Sequence, residues 1–206
     1  MALSQTVYAR AHKGRPAVSS QAADGRNSDG ALVQRVLAGQ GRAFDLIVLR
    51  YQERVRNSVR RLVRDSDDVE DIAQETFIRA HSRLHDFRGQ ASLFTWLYRI
   101  AVNLSINHLR KQQARSFCAL SDGSGELQAR GGPEEDLRAS EVGLQVDQAV
   151  ADLPPRQRAI FGMRYYDQYS HREIARILGN SEGAVRAGYF HAVQKLQVSL
   201  AAVVGV

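Results

Sequence analysis

Apolar residues recur at helical spacing through most of the chain, and nowhere does the sequence show the strict alternation that marks a half-buried strand. The period starts after Ser28-Asp29, a pair suited to capping a helix, with Leu32, Val33, Val36 and Leu37 on one face. Gly39-Gln40-Gly41 interrupts it, and a longer stripe follows: Phe44, Ile47, Val48, Tyr51, Val55, Val59 and Leu62. Val69, Ile72, Ala73, Thr76, Phe77 and Ala80 predict a third, strongly amphipathic helix whose outward positions include Asp68, Asp71, Gln74, Glu75 and Arg79. After a loop at Phe87-Arg88-Gly89-Gln90-Ala91, Ser92 predicts the cap of a fourth helix running to about Lys111. Its inward stripe is Leu93, Leu97, Ile100, Ala101 and Leu104.

The period then fails. Residues 112–140 gather Gly123, Gly125, Gly131, Gly132 and Pro133, which predicts a linker. Helical spacing returns from about Glu141 to Leu200. Residues 1–27 are small and polar without a period, and read as a disordered tail. The fold class is therefore all-α: two small helical domains, at 28–114 and 141–200, joined by a flexible linker at 115–140.

The second domain contains a pattern with a mechanism. Ser170-His171-Arg172-Glu173 is a capping box, in which the Ser and Glu side chains each satisfy a free amide at a helix start. Ile174, Ala175, Ile177 and Leu178 follow, then Gly179-Asn180 as a turn, and Ser181 as the cap of a second helix with Val185, Ala192, Val193 and Leu196 inward. A small Ala175 lets two helices approach, Gly179 permits a left-handed turn, and Val185 packs beneath the second helix. This is a helix-turn-helix. Its second helix is expected to read duplex DNA with its outward positions Glu182, Gly183, Arg186, Ala187 and Phe190, with His191 and Lys195 nearer the phosphates.

Charge sharpens the division. The formal net charge is +6. Residues 28–115 carry fifteen basic against ten acidic side chains, whereas residues 116–140 carry two against five. Cationic modules joined by an acidic connector suit a polyanion bound by the modules and not by the linker. Arg50, Arg54, Arg56, Arg60, Arg61 and Arg64 stud the second helix, and such a run is expected to form a solvated face. The single cysteine, Cys118, excludes an internal disulfide, is expected to be chemically inert, and suits a reducing compartment. With no signal-like or membrane-spanning apolar run, a soluble, cytoplasmic protein is expected.

Outward on the fourth helix lie Trp96, Arg99, Asn103, Asn107 and Arg110, at spacings of three and four. An indole beside amides and guanidiniums can stack unpaired bases and pair phosphates, the combination that single-stranded DNA requires. Trp96 taken alone is as often a core residue. His81 and His85, one helical turn apart, are the only hint of a metal-dependent enzyme, and no third His or Cys sits at ligand spacing. No catalytic constellation and no cofactor or small-molecule substrate is expected. A stand-alone helix-turn-helix regulator is the nearer alternative, but it has no use for the acidic third helix or the Trp96 stripe.

These strings carry a resemblance. Asp68-Val-Glu-Asp-Ile-Ala-Gln-Glu-Thr-Phe-Ile-Arg-Ala, Phe87-Arg-Gly and Ser92-Leu-Phe-Thr-Trp-Leu-Tyr-Arg-Ile-Ala-Val-Asn resemble region 2 of bacterial RNA polymerase sigma factors of the extracytoplasmic-function group. Leu153-Pro-Pro-Arg-Gln-Arg and Tyr169-Ser-His-Arg-Glu-Ile-Ala-Arg-Ile-Leu-Gly resemble region 4 of the same group. The resemblance implies an alternative sigma factor that binds core RNA polymerase and directs promoter-specific initiation. Asp68, Asp71, Gln74 and Glu75 would dock on the clamp helices of the largest subunit, and the flap would be a further contact on core polymerase. Arg88, Trp96, Arg99, Asn103, Asn107 and Arg110 would read and help open the −10 element. Ser181, Glu182, Arg186, Phe190, His191 and Lys195 would read the −35 element as duplex. The linker would thread toward the RNA exit path, and an anti-sigma factor would be a further partner. Many family members carry Ser-Arg where this chain has Ala187-Gly188, which implies one cationic DNA contact fewer at the centre of the reading helix.

Overall fold

The computed structural model describes residues 28–121 and 141–204, and every regular element among them is helical. The predicted tail at 1–27 and most of the predicted linker lie outside the described residues. The first four helices are α1 (Asp29–Leu37), α2 (Arg42–Arg60), α3 (Ser66–Ser82) and α4 (Leu93–Ser121), with a single 3-10 turn at Leu84–Asp86. The second group is α5 (Glu141–Ala151), α6 (Pro155–Tyr165), α7 (His171–Leu178) and α8 (Glu182–Val204).

Local chemistry sets the helix starts. Ser28 caps α1 by accepting from the Ala31 amide, and Asp65 caps α3 by accepting from the amides of Asp67 and Asp68. Pro155 opens α6 at a position whose N–H would have no partner in any case. Gly39 turns the chain between α1 and α2 at a φ of 86°. The helix predicted to end near Lys111 continues to Ser121, because residues 112–121 contain neither glycine nor proline and the first breaker is Gly123. Leu37, expected inward on α1, is instead 47% exposed at the end of its short helix.

The buried stripes meet as predicted. Ile47, Val55 and Val59 of α2, Val69 and Ala80 of α3, and Leu93, Leu97 and Ala101 of α4 form the core of the first module. Full burial of side chains such as Ile47 and Leu97 contributes roughly 1.5–3 kcal/mol each relative to exposure. That core does not stop at the module boundary. Ala159, Ile160 and Met163 of α6, Ile174, Ala175 and Ile177 of α7, and Val185 of α8 belong to the same continuous cluster. A smaller cluster, Ala149, Val150, Leu153, Phe161, Ala192 and Leu196, ties α5 to α6 and α8.

The arginine run is the main surprise. The expected solvated face is instead a set of pairings, because these guanidiniums lie where neighbouring helices bring carboxylates, carbonyls and rings within reach. Arg50 donates to Asp29 at 2.6 Å, and Arg56 grips Glu70 with Nε at 2.5 Å and Nη2 at 3.1 Å. The Arg54 guanidinium lies 3.7 Å from the centre of the Phe94 ring. Arg60 donates to Asn57, Arg61 pairs with Asp167, and Arg64 donates to Gln148 at 2.7 Å. The last two contacts cross from the first module to the second.

Arg158, on α6, is the buried counterpart of this surface set. Its guanidinium donates to the carbonyls of Leu62 at 3.0 Å and Leu153 at 3.3 Å, and to that of Ala151. These carbonyls lie just past the end of α2 and around the end of α5, where helical partners are missing. Burial, with the nearby Arg64 charge, pulls its pKa below the usual guanidinium range. Arg158→Met should keep the apolar stem but strand those carbonyls. We expect a loss of about 2–3 kcal/mol, read as a lower urea midpoint without a change in helix content.

Candidate nucleic-acid interface

The helix-turn-helix is built as its sequence requires. Ser170 Oγ accepts from the Glu173 amide at 3.2 Å while Glu173 Oε2 accepts from the Ser170 amide at 2.8 Å. Bonds from Ser170, its hydroxyl first and its amide second, hold the Glu173 carboxyl below the usual carboxylate range. Gly179 adopts φ 64°, ψ 39°, and its amide donates to the Ala175 carbonyl. Ser181 Oγ then accepts from the Ala184 amide at 3.2 Å and starts α8.

On α8, Ser181, Arg186, Phe190, His191 and Lys195 are exposed and Glu182 is half-buried. Arg186 Nη2 is held 2.7 Å from Glu182 Oε1, one turn earlier, which orients the guanidinium at the start of the helix. Phe190 is 58% exposed with His191 edge-on beside it, an aromatic pair on the outer face. Partial burial, then the charges of Arg164 and Arg186, push His171 below the ordinary imidazole range.

Gly188 faces the other way. A Cβ at this position would stand 2.7 Å from Ile160 Cδ1, so α8 packs tightly on α6 at this residue. The expectation that Gly188 deprives the outer face of a cationic contact is corrected by this orientation. The position lies three residues after Val185 and four before Ala192, both fully buried, so its inward direction follows from helical period.

In the first module, Ser92 caps α4 by accepting from the Thr95 amide at 3.1 Å. Arg99, Asn103, Asn107 and Arg110 are exposed along one side of α4, and Arg88 is exposed in the loop that precedes it. Trp96 is half-buried, its ring 5.6 Å from that of Phe87, so only part of the indole is open for stacking. The acidic residues of α3 differ among themselves. Asp71 and Gln74 are exposed, Glu75 pairs with Arg79 at 2.6 Å, and Asp68 Oδ2 lies 3.1 Å from His108 Nε2 on α4.

The histidine pair is divided: His81 packs edge-on against Phe44 at 4.8 Å, and His85 Nε2 lies 3.4 Å from Asp86 Oδ1. Among the described residues no three His, Cys, Asp or Glu side chains converge as a metal site. Sequence reasoning missed Tyr98 and Asp167. Tyr98 is buried and donates to Asp167 Oδ2 at 2.5 Å, and Arg61 pairs with the same carboxylate. Burial first, then the neighbouring Tyr169, drives the Tyr98 phenol well above its usual range. Neither residue stands out by spacing; the one local sign is the turn at Gln168, whose φ is 61°.

Comparison with known proteins supplies a family. Sigma-70 region 2 matches residues 47–115, and Sigma-70 region 4 matches residues 143–196. The RNA polymerase sigma-H factor of Pseudomonas aeruginosa is 33% identical over 183 residues, 85% of this chain and 95% of that protein. The ECF RNA polymerase sigma-E factor of Escherichia coli is 38% identical over 173 residues, covering 80% and 90%. Two solved structures share the fold. The sigma factor RpoE of Bartonella quintana, solved with the anti-sigma factor NepR, has a TM-score of 0.58 at 19% identity and covers 76% of this chain and 96% of that one. CnrH, solved with the cytosolic domain of CnrY, has a TM-score of 0.55 at 24% identity and covers 83% and 96%.

The Gly188 contact can be tested by paired substitution. In Gly188→Ala, the gain of about 1 kcal/mol in helix propensity is opposed by the clash with Ile160 Cδ1. In an Ile160→Val background the obstructing methyl is absent, and Gly188→Ala should then raise stability by about 1 kcal/mol. Calorimetric midpoints of the four proteins measure this, and equal effects in both backgrounds would refute the contact.

Proposed function

The chain belongs to the sigma-70 family of RNA polymerase sigma factors, and from that premise we propose which of its surfaces meets which partner. It is an alternative sigma factor of the extracytoplasmic-function type and directs transcription initiation. Core RNA polymerase docks on the acidic outer face of α3. Asp71 and Gln74 lead that contact, because they project into solvent, and Asp68 and Glu75 flank it from their pairs with His108 and Arg79.

The −10 element meets the loop at Arg88 and the exposed line Arg99, Asn103, Asn107 and Arg110. The open part of Trp96 offers a surface for an unstacked base. The −35 element meets α8 as duplex DNA: Arg186 reads a base edge, and Phe190, His191 and Lys195 extend the contact. The observation that carries this reading is the coexistence, in one chain, of an acidic exposed helix face, an exposed amide-and-guanidinium line and a complete helix-turn-helix. A stand-alone repressor needs the third alone. RpoE and CnrH were each solved with a protein partner, an anti-sigma factor in the first case. We extend that to an anti-sigma partner for this chain.

Transcription from a promoter library with purified core polymerase tests the assignment. Asp71→Lys should weaken binding to core about 10-fold, or about 1.4 kcal/mol, with helix content unchanged. Arg186→Ala should lower discrimination among −35 sequences by about 1–3 kcal/mol and leave −10 preference as it was. Loss confined to −10 preference would mean the modules are exchanged. Tight, sequence-specific binding by the chain without polymerase would favour the repressor.

A further inference from the structure

Two aliphatic side chains of the first module stand in solvent on neighbouring helices. Leu49 of α2 is 65% exposed and Ile78 of α3 is 63% exposed, more than any other large apolar side chain described in that module. The packing of the helices brings them together. The Arg56–Glu70 bridge and the edge-on contact of Phe44 with His81 set α2 and α3 antiparallel, with position 56 beside 70 and position 44 beside 81. Leu49 stands two turns before Arg56 on the same side of α2, and therefore lies opposite Phe77 and Ile78. Phe77 is buried, and Ile78 is turned outward. Leu46, also exposed and one turn before Leu49, extends the apolar strip along α2.

Ile78 also continues the line of Asp71 and Gln74, at the helical spacings of three and four. The strip thus abuts the face of α3 assigned above to core polymerase, an assignment on which its own role depends. Acidic and apolar groups side by side suit a partner that presents a cation beside an apolar side chain. Protein interfaces combine the two, with an apolar centre that excludes water and a polar rim. We infer that core polymerase seats an aliphatic or aromatic side chain against Leu49 and Ile78, while a lysine or arginine about two helical turns away, roughly 10 Å, meets Asp71. The docking surface then spans α2 and α3, and its apolar anchor belongs to both. A second copy of the chain is the poorer occupant. It would bring Asp67 and Asp71 of both molecules to one interface, where like charges oppose association.

The test uses the full chain and purified core RNA polymerase. Leu49→Ser and Ile78→Ser should each weaken binding about 10-fold, as removal of an apolar anchor does. Helix content and urea midpoint should stay as in wild type, because both side chains are exposed in the free protein. Added salt should shrink the loss caused by Asp71→Lys and leave the two serine losses in place, since screening acts on charges and not on apolar contact. A general defect in folding would not produce that contrast. Serine variants that bind core as wild type does, beside an Asp71→Lys that binds weakly, overturn the anchor and leave the acidic docking face standing. Weak serine variants beside an unaffected Asp71→Lys support the anchor and sink the reading of Asp71. Serine variants that bind core normally but convert a dimer of the free chain to monomer assign the strip to a second copy and overturn the proposal.

Discussion

A guanidinium taken out of water must find acceptors for its N–H groups, and Arg158 finds them in carbonyls that their own helices leave unpaired. This one side chain joins the segment after α2 to the end of α5, and so joins the first module to the second. Its placement on α6 is set by Pro155, which starts the helix, and by Ala159, Ile160 and Met163, which bury the adjoining face. Everything that follows in the second module is referred to α6: the helix-turn-helix packs on it through Ile174 and Val185, and α8 crosses it at Gly188. The orientation of α8 is thus tied, through α6, to a single buried charge and its carbonyl partners.

The same constraint explains why the arginines of α2 are not a solvated face. A helix whose inner stripe is apolar and whose flanks are lined by guanidiniums can bury its first side against α3 and α4 and still hold partners at its edges. Glu70 of α3 and Asp29 of α1 take Arg56 and Arg50 within the module. Asp167 and Gln148 take Arg61 and Arg64 across the boundary. Such exposed and half-exposed pairs contribute little each, of the order of 0–1 kcal/mol. Their effect is on geometry more than on stability: they choose which faces of the two modules meet, while the apolar cluster supplies most of the contact.

Helix positions, caps and the helix-turn-helix were legible in the sequence because they rest on local rules. The period of Val69 to Ala80 and the Ser170–Glu173 box involve residues within a few turns of one another, so spacing alone specifies them. The length of α4 was misread because a change of composition looked like an end, although the backbone needed no break before Gly123. Tyr98 and Asp167 lie 69 residues apart along the chain, and Arg158 reaches a carbonyl 96 residues away. No periodicity encodes such pairs. Gly188 falls between. Its inward direction is implied by Val185 and Ala192, which the helical period places on the same side of α8.

Once Arg50, Arg54, Arg56, Arg60, Arg61 and Arg64 are assigned to partners within the protein, the cations facing solvent along the proposed DNA surfaces are divided between the two modules. They are Arg88, Arg99, Arg110, Lys111 and Arg115 on the first module and Arg172, Arg176, Arg186 and Lys195 in the helix-turn-helix, of which Arg186 is paired with Glu182. Phosphate contacts set the non-specific part of DNA affinity, and each neutralised phosphate adds to its salt dependence. On the proposed assignment, a set divided between two modules makes fewer phosphate contacts per module than a formal charge of +6 suggests. On the same assignment, a partner that fixes the spacing of the two modules would let each surface add to the other at high effective concentration. The proposed dependence on polymerase then draws on where the arginines are used, as well as on the acidic face of α3.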